Sequence, residues 1–286
     1  MDTVRGSLLM ALAMATFALE DMFIKSTTQS LPVGQVLILF GLGGMVIFMV
    51  MAHAQGQRMF HPAICTRPLL LRSVAEVVGR LCFTLAIALT PLSSASAILQ
   101  ATPLVVAAGA VVFFGEKVGW RRWVAIAVGF CGVLLILRPG LSGFEPASMF
   151  AVIGTLGFAG RDLATRAAPP SMSNLQLGVY GFAMLIIAGS VALAWTGGAS
   201  WPSLQVWGQL LAATVIGVIA YNALTGAMRL GEISVVAPFR YTRLIFAMVL
   251  GVLVFGERPD ALTLLGSAVI IGSGLFTVLR ERQARK

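Results

Sequence analysis

The chain has 286 residues, 58% of them apolar and only 11% charged, with a mean hydropathy of +0.92 and a formal net charge of +9. A soluble domain carries roughly a quarter charged residues, so a soluble enzyme is excluded. Apolar runs of about 20 residues recur along the whole chain, each long enough to cross a ~30 Å hydrocarbon core as a helix; a β-barrel, whose strands alternate apolar and polar over ~10 residues, does not fit.

Ten spans are predicted. The first, 5–26, follows Arg5 and carries Glu20, Asp21 and Lys25. It lacks a small-x-small cleavage site and is read as a retained span rather than a signal peptide. The second is 33–53, followed by a loop with His61-Pro62 and Arg67-Pro68 as breakers. The third, 70–89, places Arg72, Glu76 and Arg80 one turn apart on one face, within pairing reach. Either Glu76 and Arg80 neutralise each other within the helix, or Arg80 meets a substrate carboxylate. The fourth, 93–114, holds Gln100, Thr102 and Pro103 and ends in Phe114-Gly115-Glu116; the fifth is 121–138.

The sixth span, 147–167, contains Arg161-Asp162 with Arg166 four residues on, as Asp21 has Lys25. The seventh is 174–195, and the eighth, 204–227, adds Tyr221 and Asn222. The ninth, 233–255, holds Pro238, Arg240, Tyr241 and Arg243 and ends in Phe255-Gly256-Glu257; the tenth is 261–280. No acidic residue lies within a turn of the two arginines on the ninth helix. Glu76, Asp162 or an anionic substrate are their candidate partners, and Arg240 is the better candidate for a substrate carboxylate because a guanidinium matches that planar group. An ionisable side chain at the centre of a spanning helix costs about 2.5–3.5 kcal/mol, so each of these needs a partner or water. Met and Phe follow no special spacing and are assigned to lipid contact and packing.

With the N-terminus inside, the cytoplasmic loops and ends hold Arg5, Arg58, Arg67, Arg72, Lys117, Arg121, Arg122, Arg166, Arg229, Arg280, Arg282, Arg285 and Lys286, against Lys25, Arg138 and Arg258 on the other side. The positive-inside rule puts both termini in the cytoplasm. It also explains the basic charge without nucleic acid. Cys65, Cys82 and Cys131 form neither a disulfide framework nor a metal-binding pair, and no metal or cofactor is expected.

The two halves are related. A shift of 141 residues lays Thr16–Asp21 over Gly157–Asp162, Phe114-Gly115-Glu116 over Phe255-Gly256-Glu257, Ser30 over Ser171 and Ser93 over Ser234. Five helices per unit is odd, so the second copy (142–286) enters the membrane inverted relative to the first (1–141). The same shift maps Arg80 onto Tyr221 and Gln100 onto Tyr241, which marks equivalent inner positions as polar in both halves. Inverted repeats are the architecture of alternating-access transporters, with the site near mid-membrane between the halves.

A 5+5 inverted repeat whose halves both end the fourth helix in Phe-Gly-Glu resembles the drug/metabolite transporter superfamily, and within it the EamA-type branch that includes the YddG-like amino-acid exporters. The resemblance covers the whole chain. It implies an all-α bundle in which helices one, three, four, six, eight and nine surround a central cavity, with five and ten peripheral, and no bound cofactor. The many inner charges depart from the aromatic-amino-acid exporters and speak against an aromatic cargo.

The expected function is therefore secondary transport, as an exporter in a bacterial inner membrane, of small charged or zwitterionic metabolites, amino acids first. A larger anionic or cofactor-like cargo, such as a nucleotide derivative, is the alternative. Glu76, Arg80, Gln100, Tyr221, Asn222, Arg240 and Tyr241 are the candidate binding residues. Glu20, Asp21, Arg161 and Asp162 are candidates for gating or coupling, with Glu20 and Arg161 at opposite mouths. The partners are the small-molecule substrate and membrane lipid; oligomeric state leaves no mark in the sequence. No P-loop, HExxH or nucleophile–base motif is present, and His53 and His61 lie at span ends, so ATP-driven transport and intramembrane catalysis are excluded.

Overall fold

Residues 2–57, 62–115, 119–138, 145–166, 172–230 and 237–284 are described by a computed structural model, and all regular structure among them is helical. The α-helices are α1 (Asp2–Thr27), α2 (Val33–Ala54), α3 (Arg67–Leu89), α4 (Leu92–Leu99), α5 (Thr102–Phe114), α6 (Trp120–Leu137), α7 (Ser148–Arg166), α8 (Asn174–Thr196), α9 (Leu204–Leu230), α10 (Thr242–Phe255) and α11 (Ala261–Ala284). Short 3-10 turns at Pro62–Cys65 and Ala237–Tyr241 precede α3 and α10. The protein is an integral membrane protein. Val4–Thr27, Val33–Ala54, Leu92–Phe114, Asn174–Thr196 and Leu204–Leu224 are each long and apolar enough to span on composition alone. Helices α3 and α7, which carry Arg72, Glu76, Arg80, Arg161 and Asp162, are not among these.

The fourth span is broken where it was expected to be continuous. Pro103 has no N–H to give to the carbonyl of Leu99, and the Thr102 hydroxyl donates to that carbonyl instead, at 2.6 Å. Helix α4 stops at Leu99 and α5 restarts at Thr102. At the equivalent place in the ninth span a 3-10 turn becomes α10 at Thr242, whose hydroxyl donates to Phe239 O at 2.6 Å. Helices α5 and α10 then end alike, on Gly115 and Gly256 with φ of 65° and 64°. That left-handed C-cap is open to glycine at no steric cost.

Helix packing follows the repeat. Helix α1 packs along α9 and α3 along α7, and the 141-residue shift exchanges these two contacts. The pairs α2–α8 and α6–α11 map onto themselves. Backbones meet closely at small residues, as is usual in membranes. A Cβ on Gly132 would lie 2.8 Å from Gly266 O, and one on Gly157 would lie 2.5 Å from the Gly79 backbone. Because the obstacle at Gly157 is backbone, Gly157→Val should separate α3 from α7 and cost at least the ~1–3 kcal/mol typical of overpacking. A fall in the melting temperature of the detergent-purified variant checks this; an unchanged value would refute the crossing.

At the end of the bundle that receives the C-termini of α1, α3 and α10, Arg138 pairs with Asp260, whose Oδ1 also accepts from the Thr263 N–H at 2.8 Å. The Arg138 hydrogen bond, with help from Thr263, lowers the Asp260 carboxyl from 3.8 to about 2. Its stabilisation is therefore complete above pH 3.8 and is lost as pH falls through about 2. Asp260 is half exposed, so the effect is a few tenths to about 1 kcal/mol. Asp260→Asn should melt slightly below the wild type at pH 6 and coincide with it near pH 2.

Candidate functional site

A cavity of about 680 Å³ lies between the halves, lined by α1, α3, α4, α5, α7, α8, α9, the turn before α10 and Arg243 of α10. It runs from Gln100 at the α4–α5 break and Tyr241 in the turn before α10 toward the bundle end where α3 and α8 begin, reaching Arg72, Thr165 and Asn174. The break and the turn touch each other: Gln100 Nε2 donates to Arg240 O at 3.1 Å. Helix α6 does not line the cavity and α11 contributes Gly274 alone, as expected for peripheral helices. Helix α8, the seventh span, does line it, through Asn174, Gly178 and Gly181, contrary to the expected six. Its repeat partner α2 does not, so the cavity is asymmetric between the halves.

The polar lining is a set of ion pairs between helices. Glu20 on α1, 1% exposed, is bonded to Arg80 on α3. Asp21, fully buried, takes Arg243 at 2.6 Å. Glu76 lies 3.7 Å from Arg72 and 3.4 Å from Arg161. Arg161 holds Asp162 Oδ1 through Nε at 3.0 Å and Nη2 at 2.8 Å. Arg240 reaches Asp162 at 3.8 Å, with its side chain 32% exposed. Aromatic faces back the guanidiniums: Phe40 lies 5.1 Å from Arg80, Phe158 4.9 Å from Arg161, and Phe17 5.0 Å from Arg243. Cation–π contact is strongest when desolvated.

Glu20, Glu76, Arg80, Gln100, Arg161, Asp162, Tyr221, Arg240 and Tyr241 all line the cavity, whereas Asp21 and Asn222 do not. Asp21 lies behind Arg243. Asn222, one residue and so ~100° round α9 from Tyr221, donates to Val218 O of its own helix at 2.9 Å. Three expectations are corrected. Arg80 pairs with Glu20 rather than with Glu76, because the cross-helix carboxylate is the more deeply buried. Asp21 takes Arg243, a partner not anticipated, and not Lys25. Glu20 and Arg161 share one cavity and are not at opposite mouths. The phenylalanines at 17, 40 and 158, assigned to lipid contact and packing, do pack in the interior and in addition face the site's guanidiniums. The side chain of Arg166, expected to pair with Asp162, lies outside the described residues. Tyr241 is 4% exposed, and its Oη has no hydrogen-bond partner among them.

The opposite end of the bundle is closed by residues the sequence reading did not single out as a group. Lys25 Nζ donates to Ile87 O and Thr90 O at 2.9 and 2.6 Å and lies 3.6 Å from Glu257 Oε1. Glu257 accepts from the N–H groups of Leu92 and Ser93, at 2.5 and 3.0 Å, and from Ser93 Oγ at 2.8 Å. One carboxylate after α10 thus caps the start of α4 while a lysine from α1 holds the end of α3. A smaller pocket of about 230 Å³, lined by Ser93, Ser94, Arg138 and Glu257, lies at the same end. The signal was available: the repeat shift carries Lys25, Ser93 and Glu257 onto Arg166, Ser234 and Glu116, three pairs of like chemistry. Ser234 and Glu116 lie outside the described residues.

The model of the EamA-like transporter family matches residues 4–138 and again 146–279. The chain belongs to this family. It is similar to the pseudopaline exporter CntI of Pseudomonas aeruginosa, 28% identical over 270 residues and 93% of each chain. It is also similar to the S-adenosylmethionine uptake transporter of Rickettsia bellii, 27% identical over 75% of this chain and 73% of that one. The riboflavin transporter of Vibrio cholerae is 31% identical over 72% of this chain and 70% of that one. A protein of known crystal structure superimposes with a TM-score of 0.63 over 100% of this chain and 99% of that chain at 16% identity, a likeness of fold alone. The EamA-like chain is thus a transporter of small metabolites, not an enzyme, with two EamA units consistent with inverted repeats. The three relatives are named for three different cargos, none an amino acid of the YddG kind, so the family is established and the narrower branch is not.

Proposed function

We propose that this transporter exports small carboxylate-bearing metabolites, amino acids foremost, by alternating access across a bacterial inner membrane with both termini cytoplasmic. Arg240 carries the reading: beside the α4–α5 break, its one ion contact among the described residues is a 3.8 Å approach to an aspartate that Arg161 already grips more closely. Discontinuous helices at mid-bundle are where secondary transporters bind cargo. A carboxylate entering here replaces a weak contact with a bidentate one, while Asp162 is placed to receive an ammonium group.

Alternating access is supported by the cavity's asymmetry. It extends toward the end assigned to the cytoplasm by the positive-inside rule, and the Lys25–Ser93–Glu257 contacts close the other end. Export is the favoured direction because the exporter relative matches over 93% of both chains and the uptake relatives over less. The cavity volume favours a second reading, a larger anionic or cofactor-like cargo, since 680 Å³ falls among pockets of ~300–1,000 Å³ that take drug-sized ligands.

Counterflow in proteoliposomes, with labelled neutral, aromatic, acidic and basic amino acids and one nucleotide-like anion, tests the reading. Exchange of one or more non-aromatic amino acids is expected. Exchange of the anion without any amino acid would retain the transporter and overturn the substrate.

A further inference from the structure

Among the described residues the charges about the cavity do not cancel. Glu20, Glu76 and Asp162 line it and Asp21 lies directly behind, against Arg72, Arg80, Arg161, Arg240 and Arg243. The nearest contacts match four of the five one to one: Arg80 with Glu20, Arg243 with Asp21, Arg72 with Glu76 and Arg161 with Asp162. Arg240 is left over. It has the longest ion contact of the five and the most exposed side chain, 32% against 5–26% for the others. A charge two-thirds withdrawn from water with only a distant partner gains when an opposite charge arrives.

Building on the transporter reading, we propose that the cavity is matched to a substrate of net charge −1. A neutral zwitterion supplies the carboxylate that Arg240 lacks but brings an ammonium that must share Asp162 with Arg161. A monoanion, such as an acidic amino acid or a monocarboxylate, balances the site with nothing left over. A cation adds to the surplus. The net charge of the cargo, more than its shape, is the property this lining reads.

The test uses the full-length protein in proteoliposomes and compares near-isosteric pairs that differ in charge: glutamate against glutamine and aspartate against asparagine, with glutarate as a dianion. Two nearly isosteric substitutions then edit the charge in opposite directions. Gln100→Glu adds one negative charge beside Arg240, and Asp162→Asn removes one. The wild type should prefer glutamate to glutamine by about tenfold or more in counterflow, the factor that 1.4 kcal/mol gives. Gln100→Glu should erase or reverse that preference, and Asp162→Asn should move it from glutamate toward glutarate. Size-exclusion profiles matching the wild type establish that both variants fold. Equal exchange of glutamate and glutamine by the wild type, or a preference that neither substitution moves, overturns the charge rule and leaves the transporter reading standing. Exchange of none of these compounds overturns the amino-acid reading and the charge rule with it.

Discussion

Arg240→Ala should raise the KM for the carried carboxylate by roughly 30-fold or more, with the protein still folded. Truncating one member of a desolvated charge pair costs about 2–5 kcal/mol, and the lower figure already gives that factor. The fold should survive because Arg240 is the guanidinium with least to hold: its only ion contact among the described residues is at 3.8 Å, and its backbone carbonyl, which accepts from Gln100, is untouched by the substitution. Arg240→Lys should recover part of the loss, since it restores the charge without the planar fork. Arg80→Ala is the contrasting variant. It strands Glu20 at 1% exposure in the bundle interior, so its expected defect is in yield and melting temperature before transport is measured. If Arg240→Ala exchanges cargo with wild-type KM, the carboxylate lies elsewhere.

Glu257→Gln should shift the protein toward a state open at the other end. The carboxylate makes three hydrogen bonds to the start of α4 and faces Lys25. Hydrogen bonds to charged groups are worth about 1.5–3 kcal/mol, so losing the charge favours opening roughly tenfold to hundredfold. Ser96, one turn further along α4 than Ser93, is 1% exposed and makes a buried reporter. With Cys65, Cys82 and Cys131 replaced by serine, Ser96→Cys in intact cells should react slowly with a membrane-impermeant thiol reagent, and much faster once Glu257→Gln is added. Equal labelling rates would mean that these contacts are structural and that closure lies elsewhere. Gly251→Ala offers an independent route, because its added methyl would occupy the space of the Glu257 carboxylate without altering charge.

Much of this was legible in the residues. The ten spans, the repeat and the polar inner positions come from hydropathy, charge and one constant offset, properties of single positions and fixed spacings. Nine of the eleven named site residues line the cavity for that reason. The sequence could not reveal which charge meets which. Arg80 has Glu76 one turn away on its own helix, and the i,i+4 rule is the only local guide; the choice of Glu20 depends on how closely α1 and α3 pack. Asp21 and Arg243, 222 residues apart, illustrate the same limit. Asn222 failed for a local reason, a single step of helical rotation. The break at Leu99–Thr102 was readable from Pro103, but its consequence, a glutamine turned onto the ninth span's carbonyl, required both halves.

The pairing between halves bears on how the chain is made. In the first five spans as they leave the ribosome, Glu20 has Arg80 and Glu76 has Arg72, but Asp21 has no partner until Arg243 is synthesised. A lone carboxylate costs about 2.5–3.5 kcal/mol at a helix centre and less toward a helix end, where Asp21 lies. In the second half, Arg243 depends in turn on α1. Each half is therefore an incomplete insertion unit, and α1 stays poorly settled until the ninth span arrives. Split at the loop after Arg138, the two fragments should be degraded when expressed singly and persist when expressed together.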